Sequence, residues 1–199
     1  MTPSVEVNGV RLPSVTRVLS AVGLSPDYRG VDPAVLERAR LRGTALHCAI
    51  QYDAEGSLDE SSLHEEIRSG FAAYRRFVAE AQHEPIGSEL ELVHPTWAYV
   101  GHPDRVGWIN GRTRTLIDFK HQDSVDFDYV RVQLAGYSLL WAATHPEEPL
   151  AQTAVVQLRR DGTYRLHVLD VRPAEQVFLA ALVVYRERQR RGLLLADSA

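Results

Sequence analysis

The stretch of residues 101–120, GHPDRVGWINGRTRTLIDFK, limits the possible folds of this chain more than any other. Two runs in which apolar and polar residues alternate, 104–109 and 113–119, flank the dipeptide Asn110-Gly111. Alternation with a period of two is typical of a half-buried strand, and Asn-Gly favours a tight turn between antiparallel strands. The stretch therefore predicts a β-hairpin.

Three charged residues stand at the ends of these two strands. Asp104 begins the first strand, and Asp118 and Lys120 end the second, with Phe119 between them. Residues i and i+2 of a strand share a face, so Asp118 and Lys120 point to one side and Phe119 to the other. Two carboxylates and an ammonium on one face are costly unless a polar or metallic partner joins them, which indicates a functional site.

The length of the turn decides whether the two aspartates can act together. With a two-residue loop, Ile109 faces Arg112 and Asp104 faces Ile117. A three-residue loop or a bulge shifts the register by one and places Asp104 opposite Asp118. A shared site therefore requires the three-residue or bulged connection.

The composition fits one compact domain over residues 1–199. The chain is 45% hydrophobic and 24% charged, which provides enough apolar side chains for a core. Residues 192–199 are expected to form a loose tail. No apolar run approaches the ~20 residues of a membrane span, and polar residues interrupt the first twenty positions, so neither membrane insertion nor a signal peptide is expected.

Cysteine content and net charge narrow the classes of function. Cys48 is the only cysteine, which excludes an internal disulfide and a four-cysteine zinc or iron–sulfur site, and a cytoplasmic location is expected. The formal net charge of −4 argues against electrostatic coating of DNA, but it leaves room for a local basic groove beside an acidic metal site.

The rest of the chain alternates between helical and strand patterns. Helices are expected at 14–23, 32–54, 62–82, 129–143 and 174–190, and strands at 5–7, 10–12, 89–93, 153–158 and 164–171. Helix caps are expected at Ser14 and Ser62, and a loop is expected at 84–87. The helix at 32–54 is either continuous or broken near Gly43. Its buried stripe is expected to consist of Ala45, Leu46, Ala49 and Ile50, and the apolar face of the last helix of Val177, Leu182, Val184 and Tyr185. This order predicts an α/β fold in which a central mixed β-sheet is flanked by α-helices.

The charged residues of the hairpin also carry a resemblance to a known family. Gly-His-Pro-Asp104, followed fourteen residues later by Ile-Asp118-Phe-Lys120, looks like the PD-(D/E)XK nuclease motif. The run from Arg42 to His47, RGTALH, resembles the N-terminal histidine motif of the RecB-like exonuclease branch of that superfamily.

Three further segments resemble the same branch, including its phage-type members. Glu89 lies twelve residues before the Gly-His-Pro-Asp run, about where the branch places an acidic residue. Gln133-x-x-x-Tyr137 resembles the QxxxY motif, and residues 12–16, LPSVT, are similar to the openings of phage-type members. Whether Glu89 or Glu91 belongs to the site stays open. Iron–sulfur members use four cysteines, so no cluster is expected here.

The resemblance implies a restriction-endonuclease-like core and a set of site residues. Asp104 and Asp118 would bind one or two Mg²⁺ or Mn²⁺ ions, with the Phe119 carbonyl as a further ligand. The neutral imidazole of His47 would bind a second ion, which Mn²⁺ tolerates better than Mg²⁺. Lys120 would position the attacking water or stabilise charge on the phosphate.

The resemblance implies four further site residues. Glu89 would be a metal or water ligand. Gln133 and Tyr137 would hold Lys120 or a DNA phosphate, and Arg42 would contact a phosphate.

The function implied is a metal-dependent DNA exonuclease in phage or bacterial recombination, repair or end processing. Its partner would be double- or single-stranded DNA, with a homo-oligomer or a recombination protein as further partners, in the cytoplasm of a bacterial or phage-infected cell. One alternative is a structure-specific or restriction-like endonuclease on the same core. A second alternative is a catalytically silent protein that binds nucleic acid.

Overall fold

The structure is a computed structural model that describes residues 6–7, 9–88 and 90–194. Glu89 therefore lies outside the described residues, as does the 195–199 part of the expected tail. The helices are α1 (Val15–Ala21), α2 (Pro33–Ala54), α3 (Glu65–Glu80), α4 (Phe127–Thr144) and α5 (Arg172–Arg190). The strands are β1 (Glu6–Val7), β2 (Val10–Arg11), β3 (Glu84–Ser88), β4 (Leu92–Val93), β5 (Val100–Gly101), β6 (Arg105–Ile109), β7 (Thr113–Lys120), β8 (Gln152–Leu158) and β9 (Tyr164–Leu169).

The central sheet has five strands in the order β3-β6-β7-β8-β9. The β7–β8 pair is parallel and the other three pairs are antiparallel. Helix α4 connects the parallel pair, as such a crossover requires. The strand pairs β1–β2 and β4–β5 form two small separate sheets. The predicted α/β fold with a central mixed sheet flanked by helices is confirmed.

Helices cover both faces of this sheet, and alternate residues of β7 point into two separate cores. Leu116 packs with residues of α1, α4 and α5 on one face. Ile117 and Phe119 pack with residues of α2 and α3 on the other face. By this alternation Asp118 shares the face of Leu116, so its carboxylate lies on the side of α4.

The register of the β6–β7 hairpin is the one that a shared site requires. Ile109 pairs with Thr113 and Arg105 pairs with Ile117, so residues 110–112 form a three-residue connection. Asp104 precedes the first residue of β6, and continuation of the register by one step places it opposite Asp118. The prediction of a three-residue connection is confirmed, although Asp104 lies just before the strand instead of within it.

The segment before the hairpin differs from the expectation. Residues 84–87, expected to be a loop, belong to the edge strand β3, which pairs with β6 and has an irregularity between Pro85 and Gly87. An edge strand tolerates proline because one row of its N–H groups has no partner strand. Of the strand expected at 89–93, residues Leu92–Val93 form β4, whereas residues 90 and 91 are not in a strand and residue 89 lies outside the described residues.

The start of α3 also differs from the expectation. The expected capping box at Ser62 is wrong, since residues Glu60–Ser62 form a separate 3-10 turn and α3 begins at Glu65. The cap is His64, whose Nδ1 accepts a hydrogen bond from the Glu66 N–H at 3.3 Å. The cap at Ser14 is confirmed, because its side chain accepts from the Arg17 N–H.

The buried faces of α2 and α5 are narrower than expected. Helix α2 continues through Gly43 without a break, and Ala45 is exposed. Val177 and Val184 of α5 are also exposed, so the apolar face expected there is wrong in part. The residues that α5 buries are Ala174, Phe178, Ala181, Leu182 and Tyr185. No helix among the described residues is long and apolar enough to cross a membrane.

Candidate active site

The end of β7 buries an ion pair. Asp118 is 2% exposed, and the Nζ atom of Lys120 lies 3.0 Å from its Oδ1 and 2.9 Å from its Oδ2. The contact with Oδ1 has hydrogen-bond geometry, and Oδ2 belongs to the ion pair without hydrogen-bond geometry. A carboxylate has about four lone-pair sites, so it can bind a cation as well as the ammonium. Lys120 is also the only lysine of the chain, whose other basic side chains are arginines.

Asp104 joins the two strands at this point. Its Oδ2 accepts a hydrogen bond from the backbone N–H of Phe119 at 2.8 Å, and its Oδ1 lies 3.4 Å from the Nδ1 atom of His47. The side chain of Phe119 is buried in the opposite core, so only its backbone faces the site. The structure thus brings together His47, Asp104, Asp118 and Lys120 from α2 and the hairpin.

Helix α2 positions His47 through its buried neighbours. Leu46, Ala49 and Ile50 pack into the core with α3 and the sheet. His47 follows Leu46 at an angular step of ~100° around the helix, which turns its ring away from that core and toward the hairpin. A partly buried imidazole beside a carboxylate results.

The charges of His47 and Asp104 stabilise each other. The negative charge of Asp104 raises the pKa of His47 to about 9, despite the opposing effect of burial. Burial alone would raise the pKa of Asp104, but the charge of His47 and the hydrogen bonds from His47 and Phe119 outweigh it and hold that pKa below its usual value. At neutral pH the pair is therefore an imidazolium and a carboxylate.

Asp118 and Lys120 respond differently to burial. Burial raises the pKa of Asp118 to about 6, and the nearby charge of Asp104 acts in the same direction. Burial would lower the pKa of Lys120, but the charges of Asp118 and Asp104 outweigh it, so that pKa is raised. Lys120 therefore remains an ammonium near pH 7 and can stabilise negative charge, but it cannot accept a proton.

Gln133 and Tyr137 lie one turn apart on the face of α4 that covers the site. The Gln133 side-chain N–H donates to the Tyr137 hydroxyl at 3.3 Å, and burial raises the pKa of Tyr137. In the part of the chain that the structure describes, the Gln133 amide forms a hydrogen bond with Tyr137 and none with Lys120. Gly101 makes the close approach of α4 possible, because a Cβ atom there would lie 2.8 Å from the Tyr137 ring.

Tyr129, which the sequence interpretation did not include, shares the face of α4 that carries Gln133 and Tyr137. It lies four residues before Gln133 and eight before Tyr137, so the three residues share one face of α4. The pKa of Tyr129 is raised by burial and is sensitive to the charges of Lys120 and Asp118, which places its hydroxyl in the electric field of the site. The spacing 129, 133, 137 was the available signal.

A polar cavity of about 690 Å³ opens beside this cluster. Its lining includes His47, Asp104, Lys120 and Tyr137 of the site. The opposite wall comes from the N-terminal segment and α1 and includes Arg11, Ser14, Thr16 and Arg17. The volume is within the range of ~300–1,000 Å³ that is usual for ligand sites.

The remaining candidates lie outside this cluster or outside the described residues. Arg42 lines a second, smaller cleft and not this cavity. Glu91 is half exposed, and its Oε2 atom lies 3.4 Å from the Nε2 atom of His102. His102 lines the cavity. The role of Glu89 stays a prediction, as does that of the Phe119 carbonyl.

The donor set fits a hard divalent cation in part. No group of three or more His, Cys, Asp or Glu side chains in the described part of the chain is already arranged as a metal site. Two facing carboxylates and an imidazole are nevertheless present, and the Oδ2 atom of Asp118 is buried without a hydrogen-bond donor. Carboxylate oxygens are the ligands that Mg²⁺ and Mn²⁺ prefer.

Comparison with known proteins gives structural neighbours only. No family model and no curated protein matches the chain. A proposed exonuclease from Eubacterium rectale is similar over 94% of this chain and 79% of its own, with 12% identity and a TM-score of 0.48. The alkaline exonuclease of Laribacter hongkongensis is similar over 91% of this chain and 92% of its own, with 15% identity and a TM-score of 0.38. The same enzyme in complex with dAMP gives 18% identity and a TM-score of 0.41 over the same shares.

Proposed function

We propose that this protein is a metal-dependent DNA exonuclease that hydrolyses phosphodiester bonds. The observation that carries the proposal is the hairpin register, which places Asp104 opposite Asp118 with Lys120 and His47 beside them. The resemblance to the PD-(D/E)XK motif rests on the same residues. A cavity with three arginines in its lining, Arg11, Arg17 and Arg40, supports a phosphate-bearing substrate, since guanidinium groups match phosphate geometry.

Asp104 and Asp118 would hold the metal ion through their carboxylates, with the His47 imidazole as a further ligand. When bound, a divalent ion would lower the pKa of a coordinated water and would neutralise charge on the attacked phosphate. Asp118 suits this role because a cation would compensate the cost of burying its charge, which its raised pKa reflects.

Lys120 would stabilise the transition state. Its ammonium lies at the rim of the cavity and is held there by Asp118, so its charge is preoriented toward a phosphate bound beside the carboxylates. Removal of one preorganised donor that faces developing negative charge costs about 2.7–4 kcal/mol in the oxyanion hole of a serine protease, and we expect a loss of at least this order here. A guanidinium at this position would be larger and planar, so an arginine is not equivalent.

Tyr137 and the wall of α1 would hold the strand. Tyr137 lines the cavity, and its hydroxyl can bond to a phosphate or sugar oxygen once Gln133 has oriented it. The cavity has room for a terminal nucleotide, which favours removal of nucleotides from an end. The proposed biological setting is recombination or processing of DNA ends.

The decisive experiment is digestion of end-labelled linear DNA with Mg²⁺ or Mn²⁺ by the wild type, Asp118→Ala, Lys120→Ala and Lys120→Arg. The wild type should release labelled nucleotides, and each variant should lose at least about 100-fold in rate. Asp161→Ala is the matched control, since it removes an exposed carboxylate from the β8–β9 turn. Activity that survives Asp118→Ala and Lys120→Ala would refute this site. Cleavage of covalently closed circular DNA would favour an endonuclease, and binding without cleavage would favour a silent nucleic-acid-binding protein.

A further inference from the structure

Helix α2 separates the candidate active site from a second polar cleft. The cleft has a volume of about 350 Å³ and lies between α2, α3 and the β8–β9 turn. Its lining consists of Arg38, Arg42, Glu65, Glu66, Ser69, His121 and Arg160. Three arginines from two distant parts of the chain therefore converge on one depression, which the sequence interpretation did not anticipate.

Arg38 and Arg42 of α2 have no acidic partner in the described part of the chain. Arg38 and Arg42 are four residues apart, so they project from one face of the helix, and no ion pair or hydrogen bond of either side chain is found among the described residues. Most other arginines on the surface do pair with a carboxylate, as Arg40 does with Glu37 at 2.6 Å on the same helix. Two unpaired guanidinium groups on one face indicate a site for an anion from outside the chain.

His121 forms the inner wall of the cleft. Both of its ring nitrogens are buried, and neither has a hydrogen-bond partner among the described residues. The ring is seated against α3, since a Cβ atom at Gly70 would lie 2.9 Å from its Nε2 atom. An imidazole ring has at least one N–H group in either charge state, which can donate to a bound oxygen.

We propose that this cleft binds a backbone phosphate of the nucleic acid outside the active site. The inference rests on the proposed function, because it supposes that DNA lies across α2. Arg38 and Arg42 would contact the phosphate oxygens through their forked N–H groups, and Arg160 would reach them from the opposite wall. Arg160 also has a carboxylate partner, Asp123 at 3.5 Å, so it can exchange one anion for another.

The cleft and the candidate active site are neighbours along α2. His121 directly follows Lys120, and Arg42 precedes His47 by five residues of helix, which correspond to a rise of ~7.5 Å. One bound nucleic acid that crosses α2 can therefore contact both sites. Most of residues 33–45 are exposed, as a helix that supports a bound duplex requires.

Two carboxylates at the rim of the cleft act against phosphate binding. Glu65 and Glu66 are exposed on the first turn of α3. With three arginines and two glutamates, the formal charge of the lining is 3 − 2 = +1 with neutral His121. Removal of the glutamate charges should therefore tighten DNA binding, whereas removal of arginine charges should weaken it.

The experiment measures binding of a fluorescent DNA duplex in EDTA, so that no cleavage occurs, over a series of salt concentrations. Each phosphate contact contributes about 0.9 to the slope of log K against log salt. We expect Arg38→Gln/Arg42→Gln, and independently Arg160→Gln, to reduce that slope by about one, and Glu65→Gln/Glu66→Gln to tighten binding. The matched control is Arg112→Gln, which removes an exposed charge from the hairpin turn at the opposite end of β7.

The outcomes separate this inference from the proposed function. If the wild type cleaves DNA but the arginine variants give the same slope of log K against log salt as Arg112→Gln, the inference is overturned and the proposed function stands. If the wild type neither binds nor cleaves DNA, the proposed function fails first. If the cleft binds free phosphate instead, inorganic phosphate should raise the melting temperature of the wild type, and the arginine variants should leave the salt dependence of DNA binding unchanged. That result also overturns the inference. Should the double variant not fold, Arg160→Gln decides, because its side chain lies in an exposed turn.

Discussion

The carboxylate of Asp104 accepts a hydrogen bond from the backbone N–H of Phe119 at 2.8 Å. This contact joins the residue before β6 to the residue that separates Asp118 from Lys120 in β7. The second oxygen of the same carboxylate remains near His47, at 3.4 Å from its Nδ1 atom. One side chain therefore fixes the hairpin at its open end and also sets the charge of the imidazole.

Substitution of Asp104 should separate these two roles. Asp104→Asn keeps an oxygen that can accept from the Phe119 N–H but removes the negative charge. Asp104→Ala removes both and leaves a partly buried N–H group without a partner, which should cost about 1–3 kcal/mol of unfolding free energy. We expect both variants to lose nuclease activity at least about 100-fold, and the alanine variant to have the lower urea midpoint of the two, because it loses the hydrogen bond as well as the charge. Equal midpoints for the two variants would show that the hydrogen bond contributes little.

The three-residue connection of the hairpin leads to a second prediction. Asn110 and Gly111 have φ angles of 51° and 62°, the left-handed values of a type I′ turn, and Arg112 is the additional residue. Deletion of Arg112 would leave a two-residue loop while Ile109 still pairs with Thr113. We therefore expect the deletion variant to fold with an unchanged β6–β7 register, at comparable stability, and to retain nuclease activity.

The control for this deletion is an alanine inserted after Gly111, which lengthens the loop to four residues. Amide exchange or cross-strand NOE contacts between Val106 and Leu116 would report the register of both variants. If the deletion abolishes activity while the protein remains folded, the additional residue does more than connect the two strands.

The hairpin could be predicted from the sequence because local patterns determine it. Val106 and Leu116 belong to one core, and Ile109 and Ile117 belong to the other, so only the odd register keeps every apolar side chain on its own face. The tight Asn-Gly turn alone would have favoured the other register. Burial therefore determined the pairing, as is expected where both faces of a strand are covered.

Other features could not be predicted because contacts distant in sequence determine them. The sequence around Pro85 resembles a loop, and it becomes a strand only because β6 offers it an edge. His64 replaces Ser62 as the cap of α3, although both side chains can accept a hydrogen bond from a backbone N–H. The second cleft requires Arg160 to approach α2, which depends on the packing of the β8–β9 turn.

His83 should make the stability of the fold depend on pH. Its ring is 5% exposed, and its Nδ1 atom lies 3.0 Å from the Trp108 carbonyl oxygen, to which the neutral ring donates. Burial and the charge of Arg105 lower the pKa of His83 to about 4, whereas its pKa in the unfolded chain is near the usual value of 6.5. Between these values the unfolded state binds a proton that the folded state does not bind. The unfolding free energy should therefore fall as the pH is lowered from 6.5 to 4, by at most about 3 kcal/mol from this group.

The variant that tests this is His83→Asn, whose side-chain amide can still donate toward Trp108 but does not titrate. Urea unfolding at several pH values should give a difference between wild type and variant that changes between pH 6.5 and pH 4 and is constant above pH 7. His145→Asn is the matched control, since it replaces a histidine in the loop after α4. A constant difference over the whole range would mean that the pKa of His83 is the same in the folded and the unfolded chain.

His47 should make metal binding depend on pH between pH 7 and about 9. Asp104 raises the pKa of His47 to about 9, and a metal can bind only the neutral imidazole. At pH 7 the ion must displace this proton, so metal affinity should rise with pH up to about 9 and level off above it. Asp118, with a pKa of about 6, is already ionised over most of this range, so its contribution is small above pH 7.

Calorimetry with Mn²⁺ in buffers of different ionisation enthalpy should detect the release of up to one proton per ion. His47→Ala should bind Mn²⁺ more weakly and without this release, whereas His83→Asn should behave like the wild type. Equal proton release by wild type and His47→Ala would exclude the imidazole as a ligand and leave the two aspartates as the metal site.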